Sequence, residues 1–337
     1  MRINSLRVIN FRNLRGEFVF GERINLILGP NGVGKTSLLE AIAYLSVPRS
    51  FRGVRDYALV RWGERSFFLE ARIVRLETPL TLTAYVEIDE RGNTVKKVFK
   101  KDGRLLRTYQ DVFNTFVVLS FSSKEHSFID GPPSERRKFF DWALSLLDTE
   151  YYTHLAEYRK LLKEKRDFLH RGIDPTPINR LMVPHIDYLI DRRRRFVATL
   201  NAGVNYSFVP EGFNILYRPN VERGSRILEL AKVEMERRIA AFGPHRDRYE
   251  LLLKGKPVRY FASEGQKRRI HLGIVIFVRD LLEEKLQDPP VMVLDEPFVY
   301  LDREGMEGVV RSLKGQVFLS STHRPPLSVE WHEVSML

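Results

Sequence analysis

One glycine-rich loop constrains the fold of this chain more than any other feature. Residues 29–36 read Gly-Pro-Asn-Gly-Val-Gly-Lys-Thr and match the pattern G-x-x-x-x-G-K-[ST] at every position. The apolar run Ile24–Leu28 precedes the loop, and apolar residues at helical spacing follow it over Thr36–Leu45. A strand, a glycine loop and a helix in this order predict a phosphate-binding loop, because the backbone N–H groups and the helix N-terminus face one anion.

The loop predicts a site for a nucleoside triphosphate with Mg²⁺. Lys35 is expected to reach the β- and γ-phosphates, and the Thr36 hydroxyl is expected to bind Mg²⁺. Arg52 has two possible roles, a contact with the nucleotide phosphates or one with DNA. The predicted nucleotide-binding residues are Gly29, Pro30, Asn31, Gly32, Val33, Gly34, Lys35, Thr36, Ser37 and Arg52. ATP and Mg²⁺ are the cofactors that this set predicts.

A second motif stands at the end of another apolar run. Residues 291–297 read Val-Met-Val-Leu-Asp-Glu-Pro. Asp295 can be buried at a strand end if it meets a cation, and Mg²⁺ held jointly with Thr36 supplies one. Glu296 is then placed to orient or deprotonate the attacking water. The alternative is that these acids cap the next helix.

Three further segments resemble motifs of the ABC-type ATPases. Residues 263–266 read Ser-Glu-Gly-Gln, similar to the signature motif of that class, while Leu301-Asp302 and Ser321-Thr322-His323 follow the acidic pair in its usual order. The resemblance implies that two heads enclose two ATP molecules, each between the phosphate loop of one subunit and the signature of the other. The implied trans residues are Ser263, Glu264, Gly265, Gln266 and Asp302, the metal ligands are Thr36 and Asp295, and the catalytic residues are Glu296 and His323.

Over nearly its whole length the chain resembles the RecF family of bacterial recombination proteins. The resemblance rests on the order of residues 10–13 (Asn-Phe-Arg-Asn), 131–137 (Gly-Pro-Pro-Ser-Glu-Arg-Arg) and 243–247 (Gly-Pro-His-Arg-Asp) around the phosphate loop. It implies a slow ATPase of recombinational repair, replication restart and the SOS response. An ATP-induced head-to-head dimer would bind double-stranded DNA near gaps and help load recombinase through RecO and RecR.

Two other functions stay open at this stage. An SMC-like or transporter-type ABC ATPase motor shares the nucleotide motifs, although the block between them is too short for a long coiled coil. A transporter subunit would also carry a glutamine loop, for which Gln110 is the one candidate ahead of the signature. A P-loop kinase needs no trans motif, so the signature and His323 argue against it.

The pattern of apolar residues predicts an α/β fold, namely an ABC-type P-loop ATPase head with a mixed sheet core and an inserted helical lobe. We expect the core to comprise residues 1–124 and 246–337, and the helical lobe to comprise residues 125–245. Predicted strands include Phe67–Val74, Leu80–Ile88, Thr94–Phe99, Phe116–Phe121, Tyr249–Leu253, Arg259–Phe261, Val291–Leu294 and Val317–Ser320. Predicted helices include Ser134–Leu147, capped by Ser134, together with Glu150–His170, Pro177–Asn205, Ser263–Glu284 and Arg303–Leu313.

The charge of the chain indicates a polyanionic partner. Lys and Arg number 55 against 43 Asp and Glu, which gives a formal net charge of +12. The candidate DNA-binding residues are Lys96, Lys97, Lys100 and Lys101 on a predicted hairpin, and Arg192 and Arg193 in a run of four arginines. Four successive arginines on a helix cannot share one face, so part of that run is expected to be structural.

Composition excludes several other classes of protein. With 0 cysteines the chain has no disulfide framework, thiolate metal site or cysteine nucleophile. The first residues lack the apolar segment of a signal peptide, and no apolar stretch approaches the roughly 20 residues of a membrane span. We therefore expect a cytoplasmic protein without a membrane partner.

Overall fold

The computed structural model describes residues 1–108, 111–112, 115–122 and 127–336. The chain divides into two compact units, of which the first comprises Met1–Glu125, Tyr206–Phe208 and His271–Leu337 and the second comprises His126–Asn205 and Val209–Ile270. Gln110 lies outside the described residues. No helix of the described part is both long and apolar enough to span a bilayer.

The elements are numbered in chain order. The strands are β1 (Arg2–Phe11), β2 (Leu14–Val19), β3 (Ile24–Leu28), β4 (Ser66–Arg75), β5 (Thr78–Ile88), β6 (Thr94–Lys101), β7 (Arg104–Leu106), β8 (Val118–Ser122), β9 (Phe213–Arg218), β10 (Arg248–Leu253), β11 (Lys256–Pro257), β12 (Val291–Asp295), β13 (Val317–Ser321) and β14 (His332–Val334). The helices include α1 (Lys35–Tyr44), α2 (Ser127–Asp130), α3 (Pro133–Leu147), α4 (Thr149–Arg171), α5 (Thr176–Gly203), α6 (Arg226–Glu229), α7 (Ala231–Arg237), α8 (Val258–Phe261), α9 (Glu264–Leu286) and α10 (Arg303–Ser312).

The first unit contains two sheets. One is antiparallel with the order β2-β1-β4-β5-β6-β7, and the other is parallel with the order β14-β3-β13-β12-β8. Every residue of β12 is buried, as expected for a central strand covered on both faces. Because the strands of the second sheet are parallel, β3, β13, β12 and β8 all end at one edge of that sheet, where ligands bind in open α/β folds.

Helix α1 packs against both sheets of this unit. Its contacts include β12, β13 and β8 of the parallel sheet and β1 of the antiparallel sheet. Tyr44 at the end of α1 forms edge-to-face contacts with Phe11 and Phe67, whose ring centroids lie 6.1 and 5.3 Å away. Aromatic pairs of this geometry stabilise a core beyond their area of burial. They fix the helix that follows the phosphate loop.

The second unit is helical but includes a small sheet, β11-β10-β9. Residues 246–270, which the sequence pattern assigned to the ATPase core, lie in this second unit. The reason is that β10 pairs with β9 along its whole length, from Arg248 opposite Arg218 to Leu253 opposite Phe213. Strand β9 falls within the block that was expected to be helical.

Two local predictions in this unit are wrong. Residues 258–261 form α8, because the β10–β11 hairpin ends at Pro257 and Ala262 N donates to Val258 O over 3.1 Å. Helix α3 begins at Pro133 with Pro132 in the capping position and no side-chain cap, so Ser134 lies inside the first turn. Helix α4 matches its prediction, with Gly172 in the left-handed conformation at its C-terminus.

A buried cation holds this unit together. Arg193 of α5 is 1% exposed and lies 2.7 Å from Asp141 of α3 and 2.6 Å from Asp247. It also donates to the Tyr151 hydroxyl of α4 and to Pro244 O. Burial of a charge is tolerated only when it is paired and fully hydrogen-bonded, and these four partners meet that condition.

Candidate nucleotide site

The glycines of the phosphate loop have the backbone conformation that the motif requires. Gly32 and Gly34 have φ values of +88° and +110°. Residues other than glycine rarely adopt positive φ values of this size. A Cβ atom on residue 34 would also lie 3.0 Å from both Asn13 Nδ2 and Leu14 Cδ2. A larger residue at this position would therefore have a strained backbone and would crowd the Asn13 and Leu14 side chains.

The Lys35 side chain folds back along the loop. Its Nζ atom donates to Gly29 O over 2.6 Å and to Pro30 O over 3.0 Å, and the residue is 5% exposed. Two backbone carbonyls thus hold the ammonium group against the loop at the start of α1, where the helix N-terminus favours an anion.

Thr36 and the end of β12 meet as the sequence predicted. Thr36 Oγ1 donates to Asp295 Oδ1 over 3.0 Å. The same carboxylate accepts hydrogen bonds from Ser320 Oγ at 2.7 Å and Ser122 Oγ at 3.4 Å. Asp295 is 2% exposed, and its oxygens and the Thr36 hydroxyl are the hard ligands that Mg²⁺ prefers. The two serines were not identified from the sequence, since only the strand pairing places them beside Asp295.

Glu296 occupies a strained backbone position immediately after β12. Its φ value is +53°, which is uncommon for a residue other than glycine. Its backbone N–H donates to Ser320 Oγ over 2.9 Å, which fixes this bend. The bend turns the chain out of the sheet at the carboxyl edge, next to the Asp295 carboxylate. Strain of this kind at a ligand-binding edge is typical of functional residues. The acidic pair does not cap a helix.

His323 follows the strand that lies beside the phosphate loop. Ser321, the last residue of β13, pairs with Leu28 of β3, and Gly29 N donates to Ser321 O over 3.3 Å. The turn after β13 is closed by the Ser321 hydroxyl, which lies 2.5 Å from His323 O. The imidazole is exposed, and Nδ1 lies 3.0 Å from Thr322 Oγ1. His323 thus stands at the same sheet edge as the loop.

Arg52 is connected to the phosphate-loop helix through a buried carboxylate. Glu40 of α1 is 0% exposed, lies 2.5 Å from Arg12 Nε and accepts a hydrogen bond from the Ser50 hydroxyl. Ser50 Oγ in turn accepts from Arg52 N over 3.0 Å. The Arg52 side chain is exposed. Arg12 and Glu40 thus have structural roles that the sequence analysis did not assign.

The signature residues lie in the second unit, at the start of α9. Ser263 and Gln266 form a reciprocal capping box, in which Ser263 N donates to Gln266 Oε1 over 2.8 Å and Gln266 N donates to Ser263 Oγ over 3.3 Å. Glu264 lies 2.9 Å from Lys267, which also pairs with Asp130 at 2.9 Å. The box leaves Ser263 exposed at a positive helix end.

Asp302, the remaining residue predicted to act in trans, caps a helix in the first unit. Its Oδ1 atom accepts a hydrogen bond from Gly305 N over 2.8 Å at the start of α10. A carboxylate in this position satisfies an N-terminal backbone donor and interacts favourably with the helix dipole.

Comparison with known proteins places the chain in a family. Residues 5–58 match the family described as AAA domain. The DNA replication and repair protein RecF of Chlorobaculum tepidum is 30% identical over 352 residues, which cover 96% of this chain and 95% of the relative. The chain belongs to the RecF family. The RecF of Oceanobacillus iheyensis is 28% identical over 353 residues, covering 96% and 94%.

Solved RecF structures have the same fold. The recombination mediator protein RecF-ATP in the RecFOR pathway matches with a TM-score of 0.84 and 27% identity, covering 97% of this chain and 93% of the other. The RecF-ATPrS structure matches with a TM-score of 0.83 and 25% identity, covering 99% and 97%. An SmcHead bound to the C-winged helix domain of ScpA shares only the fold, with a TM-score of 0.52 and 16% identity. The ABC-type ATPase head predicted from the sequence is confirmed.

The four lysines of β6 do not form one surface on this RecF family member. Lys96 and Lys100 are exposed on one face of the strand, whereas Lys97 and Lys101 share the opposite face with buried Phe99. Lys97 lies 2.9 Å from Asp56 and donates to Pro48 O over 2.5 Å. Its charge is neutralised within the fold, which leaves Lys96 and Lys100 as the exposed candidates.

The arginine run is largely occupied by partners in its own unit. Arg193 is buried, so its prediction as a DNA contact is wrong. Arg192 lies 3.0 Å from Asp148 and packs over the Tyr188 ring at 5.1 Å. Arg194 forms an ion pair with Glu222, and Arg195 forms one with Asp191. The expectation that this run is partly structural is confirmed.

Proposed function

We propose that this chain is an ATP-driven DNA-binding protein of recombinational repair and replication restart, an ATPase whose output is a change of oligomeric state. The contact of Thr36 with Asp295 carries the proposal, because it joins the phosphate loop to the carboxylate that would complete a nucleotide and metal site. RecF family membership supports the role in repair and replication.

Mg²⁺ fits the residues at this edge. The Thr36 hydroxyl and the Asp295 carboxylate would hold it, and the described residues contain no group of three or more His, Cys, Asp or Glu side chains that could bind a metal without help. A site with one carboxylate and one hydroxyl suits an ion that takes its other ligands from phosphates and water. When bound, Mg²⁺ would neutralise charge on the β- and γ-phosphates.

The chain's own residues would bind and hydrolyse ATP as follows. The loop amides and Lys35 hold the phosphates, and Glu296 accepts a proton from, or orients, the attacking water. His323, at the same edge, contacts the γ-phosphate. The bond from Glu296 N to Ser320 Oγ would hold the backbone that carries this carboxylate in place before ATP binds.

ATP would also join two copies of the chain. The exposed Ser263 at the capped end of α9 offers a hydroxyl and a positive helix end to the γ-phosphate held by a partner. ADP lacks that phosphate, so hydrolysis would release the dimer. The RecFOR pathway named for the solved RecF structures supports RecO and RecR as partners in loading recombinase.

DNA binding would depend on backbone phosphates rather than on base sequence. The net charge of +12 favours a polyanion, and dimerisation would present two basic surfaces at once. The test is a titration of a duplex and a gapped duplex at several salt concentrations with ATP under non-hydrolysing conditions. We expect affinity to fall steeply with salt, vary little with sequence, and be higher for the gapped duplex. A flat salt response, or no binding at low salt, would contradict the DNA function.

A further inference from the structure

Two arginines stand directly opposite each other in the small sheet of the second unit. Arg218 of β9 and Arg248 of β10 are register partners, and both are exposed on the same face. Like charges opposite each other across an antiparallel pair destabilise the sheet. Within the described residues, only one carboxylate compensates this pair, because Glu250 lies 3.2 Å from Arg218 while Arg248 forms no ion pair.

A third arginine joins them around one pocket. This pocket has a volume of about 430 Å³ and opens to solvent. Arg246 is exposed and forms no ion pair with any residue that the structure describes. Arg218, Arg246 and Arg248 thus bring three positive charges to the pocket, and Glu250 beside Arg218 contributes one negative charge. The lining residues are Arg218, Pro219, Asn220, Ala241, Arg246 and Arg248.

Hydrogen bonds hold the chain segments that carry the pocket residues. Asp247, between the two unpaired arginines, is 0% exposed and accepts hydrogen bonds from Arg193 Nη1 at 2.6 Å and from Asn220 N at 2.8 Å. The Asn220 side-chain oxygen accepts from Gly243 N over 2.8 Å, so its NH₂ group is the end available to an anion. Three arginines around a backbone held in this way are suited to phosphate, which arginine binds in a bidentate manner.

We propose that the pocket of Arg218, Arg246 and Arg248 holds a backbone phosphate of bound DNA, at a site in the second unit separate from the phosphate loop. The proposal rests on the DNA-binding function proposed above and gives that function a location. An anion between Arg218 and Arg248 relieves their repulsion. The lysines of β6 were the first candidates from the sequence, whereas this pocket is visible only from the strand register.

The test compares two double variants with the unaltered chain. Arg246→Gln/Arg248→Gln removes the two unpaired pocket charges. Lys160→Gln/Arg171→Gln removes the same charge from exposed residues of α4 that do not line the pocket. Duplex binding is measured by fluorescence anisotropy across a range of salt concentrations. We expect the pocket variant to lose affinity roughly tenfold at low salt and its salt slope to fall by about 1, the value for one phosphate contact, with little change in the control.

Three further outcomes are informative. Equal affinity and slope in the pocket and control variants would overturn the pocket while leaving DNA binding intact. Absence of duplex binding by the unaltered chain would overturn both proposals. A fluorescent ATP titration without DNA separates the two sources of phosphate, since weakened ATP binding in the pocket variant would assign the pocket to a nucleotide instead. Thermal unfolding checks the fold, and removing the Arg218–Arg248 repulsion should leave the midpoint unchanged or raised.

Discussion

Thr36 Oγ1 lies 3.0 Å from Asp295 Oδ1, although 259 positions separate the two residues in the chain. The contact joins the first turn of α1 to the last residue of β12. Ser320 and Ser122 donate to the same carboxylate, so the side chain is oriented before any metal arrives. A preoriented carboxylate loses little conformational freedom when it binds a ligand.

Replacement of Asp295 by Asn tests the metal role of this contact. The amide keeps the size of the side chain but removes the charge, so ATP affinity in Mg²⁺ should fall roughly 10- to 100-fold. Affinity in excess chelator should stay that of the unaltered chain. The matched control is Asp102→Asn, whose Oδ1 accepts from Thr81 N in the antiparallel sheet. An Asp295→Asn variant with unchanged Mg²⁺ dependence would remove Asp295 from the metal site.

Glu296→Gln separates binding from hydrolysis. The substitution keeps shape and the strained bend but removes the proton acceptor, so turnover should fall about 10²-fold or more while ATP still binds. Single-turnover hydrolysis and ATP binding are measured on the same preparation. Hydrolysis at the unaltered rate would exclude Glu296 as the general base.

Ser263 has two roles that different substitutions can separate. Ser263→Arg places a bulky cation at the proposed dimer contact, while Ser263→Asp keeps a good N-cap but puts a negative charge against the γ-phosphate. We expect both variants to bind ATP and neither to dimerise. His170→Arg adds a cation at an exposed site in the same unit and should dimerise normally. Light scattering distinguishes the variants, and a normal dimer for Ser263→Asp would rule out a trans role.

His245 makes the stability of the second unit depend on pH. Burial lowers its pKa from the ordinary 6.5 to about 4, and its Nδ1 lies 2.6 Å from the Tyr158 hydroxyl. The unfolded chain therefore binds the proton more readily, so the stability that neutral His245 provides is present above pH 6.5 and is lost as pH falls toward 4.

The lowered pKa of His245 determines how strongly the stability depends on pH. Lowering the His245 pKa from 6.5 to about 4 corresponds to roughly 3 kcal/mol of unfolding free energy. Denaturant unfolding of the unaltered chain and His245→Asn at pH 7 and pH 4.5 measures it. The variant should lose less stability between the two values, and equal losses would show that His245 is not the group responsible.

Short-range patterns were sufficient to predict the glycine loop after β3 and the acid at the end of β12. The glycine spacing of residues 29–34 determines a loop conformation directly, and the apolar run before Asp295 predicts a central strand with an acid at its end. Each of these two patterns is complete within one short segment of the sequence, so neither prediction requires tertiary information. The Thr36–Asp295 contact follows once β3, which precedes the loop, and β12, which ends at Asp295, belong to one parallel sheet.

Other features depend on contacts between distant segments. Asp56, 41 residues away in sequence, neutralises Lys97, and no local pattern around either residue shows this. In the sequence, Arg193 cannot be distinguished from the three arginines beside it. Only the folded chain brings Asp141 of α3 and Asp247 into contact with Arg193. Strand β9 was missed because its partner β10 lies beyond α7, and strand propensity depends on such partners.

The most direct test of the account is the mass of the Glu296→Gln variant in solution with ATP, with ADP and without nucleotide. Slow hydrolysis in this variant should preserve the ATP-bound state during the measurement. We predict twice the mass of one chain with ATP and Mg²⁺, and the mass of a single chain with ADP or no nucleotide. The same mass in all three conditions would contradict an ATPase whose output is dimerisation.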